Sequence, residues 1–430
     1  MLVTTHSGLP VRSHIDGVNL EELLSRYGSP LYILSESKLR SNYRTLYSQF
    51  TSKYPSVTFA WPYKTNYLRA VCAIFHQEGA IAEVVSNFEY EKARHLGISG
   101  KDILFNGPYK SRHILKKALA DGAVIHIDHN DELDDLLDLS QNFQEPAPVA
   151  LRLNMKTGVK DHWFRFGFNL DSEDARNAAQ KISQSKTLKL CGLHSHLGAY
   201  ITNPGAYAVM IEKMLQFAYF CQDNFSANID YLDIGGGFPS SIQLKKEFQE
   251  DAVVPGLTTY IDQIIHALQR HLRPDHTPRL ILENGRALVD DAGFLIATVN
   301  NAKELVNGHM GYTVDAGVNI LFAANWYTYQ IESTIPLSGG MHPSMIFGPL
   351  CMQKDILETG RMLPWLPRGT HLVFSPAGAY NWTHSMQFIQ YRPNTVLIRQ
   401  NGATELIRKA ETLSDVEQNE ILPEDLVPYP

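Results

Sequence analysis

The chain has 430 residues, more than the roughly 250–300 that one hydrophobic core usually supports, so two domains are expected. Its formal charge of -7 counts against nucleic acid or an anionic membrane as a partner, and no apolar run reaches the roughly 20 residues that span a bilayer. The cysteines are scattered without a CxxC pair and the amino terminus has no signal-peptide pattern, which favours a cytosolic protein without disulfides or a cysteine zinc site.

Short apolar runs alternate with helical patterns between residues 30 and 290, which is typical of parallel strands joined by helices. After an opening run at Leu31, eight runs follow, at 57–63, 81–85, 103–105, 124–127, 149–153, 191–196, 231–234 and 280–282. Eight such strands close a TIM-type (β/α)8 barrel, and this fold is predicted for residues 30–290. Helices are expected between the strands, for example at 87–96 with Asn87 as its cap and at 206–221.

The pattern changes after Arg286. Six β runs then follow without helical segments between them, at 294–299, 312–314, 345–347, 371–374, 395–398 and 405–407. We therefore predict a β domain of residues 1–29 with 291–416, followed by a loose acidic tail at 417–430. The long segment 154–170 is predicted to lie over the barrel mouth.

The first barrel strand ends in Lys64. Because side chains alternate across a strand, Ala60, Pro62 and Lys64 share a small face, while the aromatic residues between them would pack against helices. Lys64 would then point into a roomy space, which suits an amine that holds a large cofactor. A strand-end lysine that merely meets solvent is the plainer alternative.

Polar or glycine motifs follow several other barrel strands, and in this fold the reactive groups lie at those carboxyl ends. They are Glu83 on the second strand, His194 and His196 on the sixth, Gly235–Gly237 after the seventh and Glu-Asn-Gly-Arg at 283–286 after the eighth. Together these motifs indicate one binding site at the barrel mouth.

The glycine run and its neighbours suggest an anion site. Three glycines let backbone N–H groups approach a phosphate closely, although such a run is also a common turn. Arg286 could bind the same anion or a substrate carboxylate, or form a surface ion pair. Glu283 would need a cation nearby, for which a protonated pyridine nitrogen and Arg286 are the alternatives.

The two histidines of the sixth strand leave two alternatives. They could form a metal-binding pair, or one imidazole could lie flat on a heteroaromatic ring while the other packs. A metal site would need further ligands on later strands, which end in glycines and in Glu-Asn-Gly-Arg. No metal is therefore expected.

Two residues of the second domain are candidates as well. Cys351 lies in Gly-Pro-Leu-Cys-Met-Gln-Lys-Asp at 348–355, although a lone cysteine is usually a buried small hydrophobe. Tyr380 could bring a phenol to a phosphate, although most tyrosines simply pack.

Taken jointly, six motifs resemble the pyridoxal 5'-phosphate (PLP) decarboxylases that share the alanine-racemase barrel, most closely the diaminopimelate decarboxylase group. In chain order they are Lys64-Thr-Asn, His194-Ser-His-Leu-Gly, Gly235-Gly-Gly-Phe, Glu283-Asn-Gly-Arg, Cys351 to Asp355 and Gly378-Ala-Tyr380. The resemblance runs from about Tyr27 to Arg408. It implies an amino-acid decarboxylase of the lyase class with PLP as its cofactor.

The resemblance also implies residue roles. Lys64 would bind the cofactor covalently, His196 would stack on its ring, and Glu283 would keep the pyridine nitrogen protonated. Cys351 would deliver a proton to Cα. The remaining cofactor residues would be Glu83, Gly235, Gly236, Gly237, Asn284, Gly285, Arg286 and Tyr380, and the substrate residues Arg286, Tyr327 and Asp355. In this family Cys351 and Asp355 come from the neighbouring subunit, so a homodimer with shared active sites is expected.

Departures from the diaminopimelate pattern concern the distal end of the substrate. Met352 and Gln353 replace the glutamate and serine of the family motif, whose glutamate meets the distal amine. Ala323 and Ala324 stand where the family carries an arginine for the distal carboxylate and a proline. A charged group left unpaired there would cost roughly 2–5 kcal/mol. An amino-acid unit of a specialised precursor, free or carrier-bound, is therefore the expected substrate.

Three alternatives stay open. The chain could be a true meso-diaminopimelate decarboxylase that makes L-lysine, a metal-dependent hydrolase on the same barrel, or a PLP carrier without enzymatic activity. The β domain with Cys351 and Asp355 counts against the carrier. Glu283 counts against a racemase, because alanine racemases place an arginine at the ring nitrogen.

Overall fold

The structure is a computed structural model that describes residues 8–159, 163–245, 247–248, 253–274 and 276–426. The chain divides into two compact units. The barrel unit contains residues 38–241 and 246–291, and the β unit contains the residues up to Ser37, 242–245 and those from Ala292 onward. The predicted barrel start at residue 30 is therefore wrong. The strand Leu31–Ser35 pairs with Gly293–Glu304 and Asn394–Ile398 in the sheet of the β unit.

Eight parallel strands form the barrel, as predicted. Each pairs with the next in chain order, and the eighth pairs with the first, so the sheet is closed. Their bounds are Val57–Pro62, Ile81–Val84, Ile103–Phe105, Val124–Ile127, Ala147–Asn154, Leu188–His194, Tyr231–Asp233 and Arg279–Leu282. A two-residue strand, Phe168–Asn169, pairs with the end of the fifth. The carboxyl ends of all eight strands thus lie at one rim.

Helices connect the barrel strands. Between successive strands lie Arg69–Gln77, Asn87–His95, Arg112–Asp121, Asn130–Leu139, Asp174–Ser183, Gly205–Phe225 and Leu257–His271, while Glu36–Thr51 precedes the first strand and Arg286–Val289 follows the eighth. The predicted cap Asn87 is wrong, because Ser86 accepts the hydrogen bond from the N–H of Glu89 at 3.2 Å. Within the described part of the chain, no helix has the length and apolar character needed to span a bilayer.

The alternation of the first strand separates the barrel interior from the helix layer. Ala60 lies in an interior cluster of buried residues, with Leu104, Ala150, Cys191, Tyr231 and Ile281. Trp61 points the other way and stacks on Phe75 of the following helix, with ring centroids 4.0 Å apart. The small face of this strand is therefore the inner one.

The β unit is a mixed sheet with little helix. Besides Leu31–Ser35, its strands are His14–Ile15, Val18–Asn19, Gln243–Leu244, Gly293–Glu304, Met310–Val314, Tyr327–Thr328, Gln330–Ser333, His342–Phe347, Ile356–Leu363, His371–Ser375, Asn394–Ile398 and Thr404–Arg408. The helices are Leu20–Tyr27 and Leu413–Glu417. All six predicted β runs are strands. The predicted tail contains one 3-10 turn, Glu424–Leu426, and its last four residues lie outside the described part.

Candidate active site

Lys64 lies at the barrel rim. The first strand ends at Pro62, and the 3-10 turn Tyr63–Thr65 places the lysine just beyond it. Its Nζ donates to Oε2 of Glu83 at 2.6 Å; the lysine side chain is 34% exposed, whereas that of Glu83 is fully buried. A carboxylate of the second strand thus holds the amine where a small molecule can reach it.

Asn106 links two buried carboxylates, and sequence reasoning missed it. Its Nδ2 donates to Oε1 of Glu83 at 3.0 Å and to Oε1 of Glu283 at 2.5 Å. Asn106 directly follows the third barrel strand. A polar residue at this position could have been recognised from the sequence as a candidate site residue. Lys64, Glu83, Asn106 and Glu283 therefore form one connected network across four strands.

Glu283 titrates near neutral pH in this environment. Burial raises its pKa to about 7, and the charge of Glu83 acts in the same direction, while Lys64 and Arg152 oppose both. A cation placed beside Glu283 would favour its ionised form. The guanidinium of Arg286, the alternative partner of Glu283, donates to Asp290 at 3.1 Å.

The raised pKa of Glu283 predicts a pH effect on the stability of cofactor-free protein. Folded Glu283 keeps its proton up to about pH 7, whereas in the unfolded chain it loses the proton near its ordinary pKa of 4.5. The folded state then binds more protons between these values, so this group costs stability as pH rises. The Tm of Glu283→Gln should rise relative to wild type between about pH 5 and pH 8. A Tm difference that stays constant over this pH range would contradict this.

His194 and His196 are separated in the structure. The sixth strand ends at His194, so the alternation that would put both on one side does not continue. His194 points into the barrel, where its Nε2 lies 3.5 Å from Oε1 of Glu283. His196 instead accepts a hydrogen bond from the N–H of Gly236 through Nδ1 at 3.2 Å. His194 and His196 therefore do not form a metal-binding pair, although His194 lies in a buried cluster with His126, Asp233 and Glu283.

His196 has the properties of a stacking group. Burial lowers its pKa to about 3, with a further contribution from the charge of Lys64, so its imidazole is neutral. The Trp163 ring packs against it at 60°, with centroids 5.3 Å apart. A neutral imidazole held by an indole can present a flat apolar face to an aromatic ligand.

The segment after the fifth strand contacts the barrel rim. Nδ2 of Asn154 donates to the carbonyls of Phe166 and Gly167, at 2.8 and 2.7 Å. Arg152 lies over the Phe166 ring, 4.6 Å from its centroid. These contacts and that of Trp163 with His196 agree with the predicted position over the mouth. Residues 160–162 of this segment lie outside the described residues.

Two positions of the glycine motifs have no room for a side chain, because neighbouring atoms approach the glycine backbone closely. A Cβ at Gly236 would lie 2.3 Å from the carbonyl oxygen of Glu283, and a Cβ at Gly285 would lie 2.0 Å from Oγ1 of Thr65. Two N–H groups of the triple glycine already have protein acceptors, since Gly235 donates to Asp233 and Gly236 to His196. The contact of Gly235, Gly236 and Gly237 with a phosphate stays a prediction.

Two further residues of the eighth-strand motif are buried. Arg286 pairs with Asp290 one helical turn later and is not the surface ion pair of the plainer alternative. Asn284 is buried, and neither its Oδ1 nor its Nδ2 has a hydrogen-bond partner among the described residues. An amide buried without partners costs free energy unless a ligand or water satisfies it, which agrees with Asn284 lying in a binding site.

The remaining candidates belong to the β unit. Cys351 is exposed, Tyr327 is buried in the short strand Tyr327–Thr328, and Tyr380 is half-buried with a positive φ of 63°. Their roles toward cofactor or substrate stay predictions.

Asp355 supports the loop that carries Cys351. Its Oδ1 accepts from the N–H of Val318 and its Oδ2 from the N–H of Leu350, both at 2.8 Å. Burial raises the pKa of Asp355, and the two amide hydrogen bonds oppose this. Both oxygens thus serve the fold, and binding of a substrate amine by the same carboxylate stays a prediction.

The contacts of Asp355 predict a large loss of stability on truncation. Asp355→Ala should leave two buried N–H groups unpaired, at a cost of roughly 2–4 kcal/mol. Its thermal unfolding midpoint should therefore fall well below wild type, and Asp355→Asn should lie between them. The exposed neighbour Lys354 provides the control, since Lys354→Ala should unfold like wild type. Equal midpoints for Asp355→Ala and this control would contradict the assigned role.

An aromatic cluster lies in the β unit beside Ala323 and Ala324. The Phe322 ring packs edge-on against Trp326 and His384, at centroid distances of 5.1 and 5.2 Å. Ala323 and Ala324 directly follow Phe322 and are buried. Sequence reasoning noticed the two alanines but missed the cluster, because His384 is distant in the chain.

Comparisons with known proteins agree on one family. Residues 40–290 match the family model described as pyridoxal-dependent decarboxylase, pyridoxal binding domain. Diaminopimelate decarboxylase of Aquifex aeolicus is 28% identical over 409 residues, covering 92% of this chain and 93% of the relative. That of Methanothermobacter thermautotrophicus is 28% identical over 428 residues, covering 96% of both. The crystal structure of diaminopimelate decarboxylase from M. jannaschii matches with a TM-score of 0.88 and 26% identity, over 97% of this chain and 99% of that one.

Proposed function

Because the chain belongs to the pyridoxal-dependent decarboxylases, we propose that it removes the α-carboxylate of an amino-acid substrate other than meso-diaminopimelate. The cofactor is PLP and the enzyme is a carboxy-lyase. The observation that carries the decarboxylase activity is the network at the rim, in which the reachable amine of Lys64 is held by Glu83 and connected through Asn106 to Glu283. The metal-hydrolase and carrier alternatives do not account for this family membership.

The residues at the rim fit PLP. Glycines allow close approach where side chains would clash, Asn284 offers an unpartnered buried amide, and His196 offers a neutral ring. Lys64 would hold the aldehyde carbon, and Glu283 would face the ring nitrogen. The donor set thus combines an amine, an acid and a flat ring, which this cofactor needs.

PLP supplies an aldehyde that binds amines covalently and a ring that accepts the electron pair left when carbon dioxide departs. The protein residues then provide orientation and protons. Glu83 holds Lys64 Nζ, and Glu283 in its ionised form would keep a proton on the ring nitrogen. His196, backed by Trp163, shields one face of the site from water.

We assign protonation of Cα to the Sγ of Cys351, which is the role that the family resemblance implies for this residue. The thiol is exposed in the single chain, which agrees with a role at the mouth of a second subunit. The active unit would be a homodimer in which each mouth is completed by the partner. Asp355 would set the position of the thiol through the loop that it supports.

The identity of the distal group on the substrate rests on the β unit. Phe322, Trp326 and His384 provide ring surfaces, and Ala323 and Ala324 provide no charge. A distal carboxylate or ammonium would lose its water there without a charged partner. An amino-acid unit with an uncharged distal group, free or bound to a carrier, fits these residues better.

Release of carbon dioxide from a substrate panel tests the proposal. The panel should contain meso-diaminopimelate, lysine and ornithine, whose distal groups are charged, together with free and carrier-bound amino acids whose distal groups are uncharged, all assayed with PLP-loaded enzyme. We expect kcat/KM for an uncharged distal group to exceed that for meso-diaminopimelate by at least about tenfold. If meso-diaminopimelate is the best substrate, the enzyme makes L-lysine and the substrate assignment is wrong.

A further inference from the structure

One buried acid of the barrel has no role in the function proposed above. Asp233 ends the seventh strand and is fully buried. Its Oδ1 accepts a hydrogen bond from the N–H of Gly235 at 2.9 Å, whereas its Oδ2 receives no hydrogen bond from a donor among the described residues, and the side chain contacts the Glu283 carboxylate. A buried carboxylate oxygen without a donor is costly if it carries charge. A protonated Oδ2 would instead be a donor in search of an acceptor.

An acceptor lies nearby. Asp233 shares the barrel interior with His126, His194 and Glu283, and one nitrogen or oxygen atom of each lies within 4.8 Å of the others. Two carboxylates this close in a buried site do not both ionise readily. Other ionisable side chains that act on this pair are Glu83, Lys64, Arg152 and Tyr231.

The contacts decide which acid keeps the proton. Glu283 receives the amide N–H of Asn106, and the charges of Lys64 and Arg152 favour its ionised form. No donor among the described residues stabilises a negative charge on Oδ2 of Asp233. Burial raises its pKa well above the ordinary value, and the charge of Glu283 acts in the same direction.

We propose that Asp233 is a positioning residue that stays protonated, donates from Oδ2 to the Glu283 carboxylate and holds Gly235 through Oδ1. The pair then presents one negative charge, on Glu283, to the ring nitrogen of PLP. The same side chain connects that carboxylate to the triple glycine. This role in cofactor binding rests on the proposed function, whereas the location of the proton does not.

Infrared spectra of the full chain test the proton directly. Asp233→Asn replaces the acid by a neutral group of the same shape, with an acceptor for Gly235 and a donor for Glu283. If Asp233 keeps the proton of the pair, it should supply a protonated-carboxyl band at about pH 8 that Asp233→Asn lacks. Identical carbonyl spectra for the two proteins would overturn the proposal. This measurement is made with and without PLP, so it decides the point even if the proposed function fails.

Titration with PLP tests the positioning role. Asp233→Asn should bind PLP within about threefold of wild type and give the same pH dependence of the cofactor absorption. Asp233→Ala should bind about tenfold more weakly or worse, because Glu283 and Gly235 both lose a partner. Equal losses for Asp233→Asn and Asp233→Ala would show that the ionised form matters and overturn the proposal. A folded Asp233→Ala that binds like wild type would also overturn it.

Discussion

Lys64→Ala should abolish the visible absorption of the bound cofactor and reduce turnover by roughly 10³-fold or more. In the rim network, Glu83 holds the Nζ of Lys64. The methyl group of alanine has no amine that could bind an aldehyde. Absorption spectra of purified protein after addition of PLP, together with carbon dioxide release, measure both effects.

The control for this experiment is Lys116→Ala, which removes an exposed lysine from the helix Arg112–Asp121 of the same barrel. It should keep the absorption and turnover of wild type. If Lys64→Ala retained the cofactor absorption, the assignment of this lysine would be wrong, even though the family membership would stand.

The barrel could be predicted from the sequence because its signal is local. Each strand is a short apolar run, and the first strand also showed which face is inner, through Ala60 and its aromatic neighbours. The start of the barrel could not be predicted in the same way. Leu31–Ser35 is an apolar run of the same kind, and its pairing with Gly293–Glu304 and Asn394–Ile398, both far away in the chain, assigns it to the other sheet.

The site was partly predictable because its lysine, glycines and glutamate follow strands. The same reasoning overlooked single polar residues that belong to no recognisable motif, such as Asn106 and Asp233, although each lies at the end of a strand. It also assumed that strand alternation continues past His194, where the strand ends. It therefore placed His194 and His196 on one side, whereas in the structure they make different contacts. The partners of Asp355 could not be predicted, because Val318 lies 37 residues away.

Cys351→Ala should lower product formation by roughly 10²–10⁴-fold while leaving cofactor absorption unchanged. The thiol is exposed and lies in a loop supported by Asp355, so its removal should affect proton delivery rather than folding. The Lys354→Ala variant of the same loop should keep wild-type turnover. Product analysis would reveal correct or misplaced protonation at Cα. Unaltered turnover and products would show that the thiol has no part in the reaction.

Mixing the inactive variants Lys64→Ala and Cys351→Ala in equal amounts tests whether the thiol of one subunit acts in the active site of the other. In a homodimer with shared sites, a Lys64→Ala subunit can lend its Cys351 to a mouth whose Lys64 is intact. Random exchange of subunits gives hybrids in half of the dimers, each with one complete site, so about a quarter of wild-type activity should return. If the thiol served the barrel of its own chain, each hybrid would contain only defective sites and mixing would restore nothing. The recovered activity therefore separates the two arrangements without any further variant.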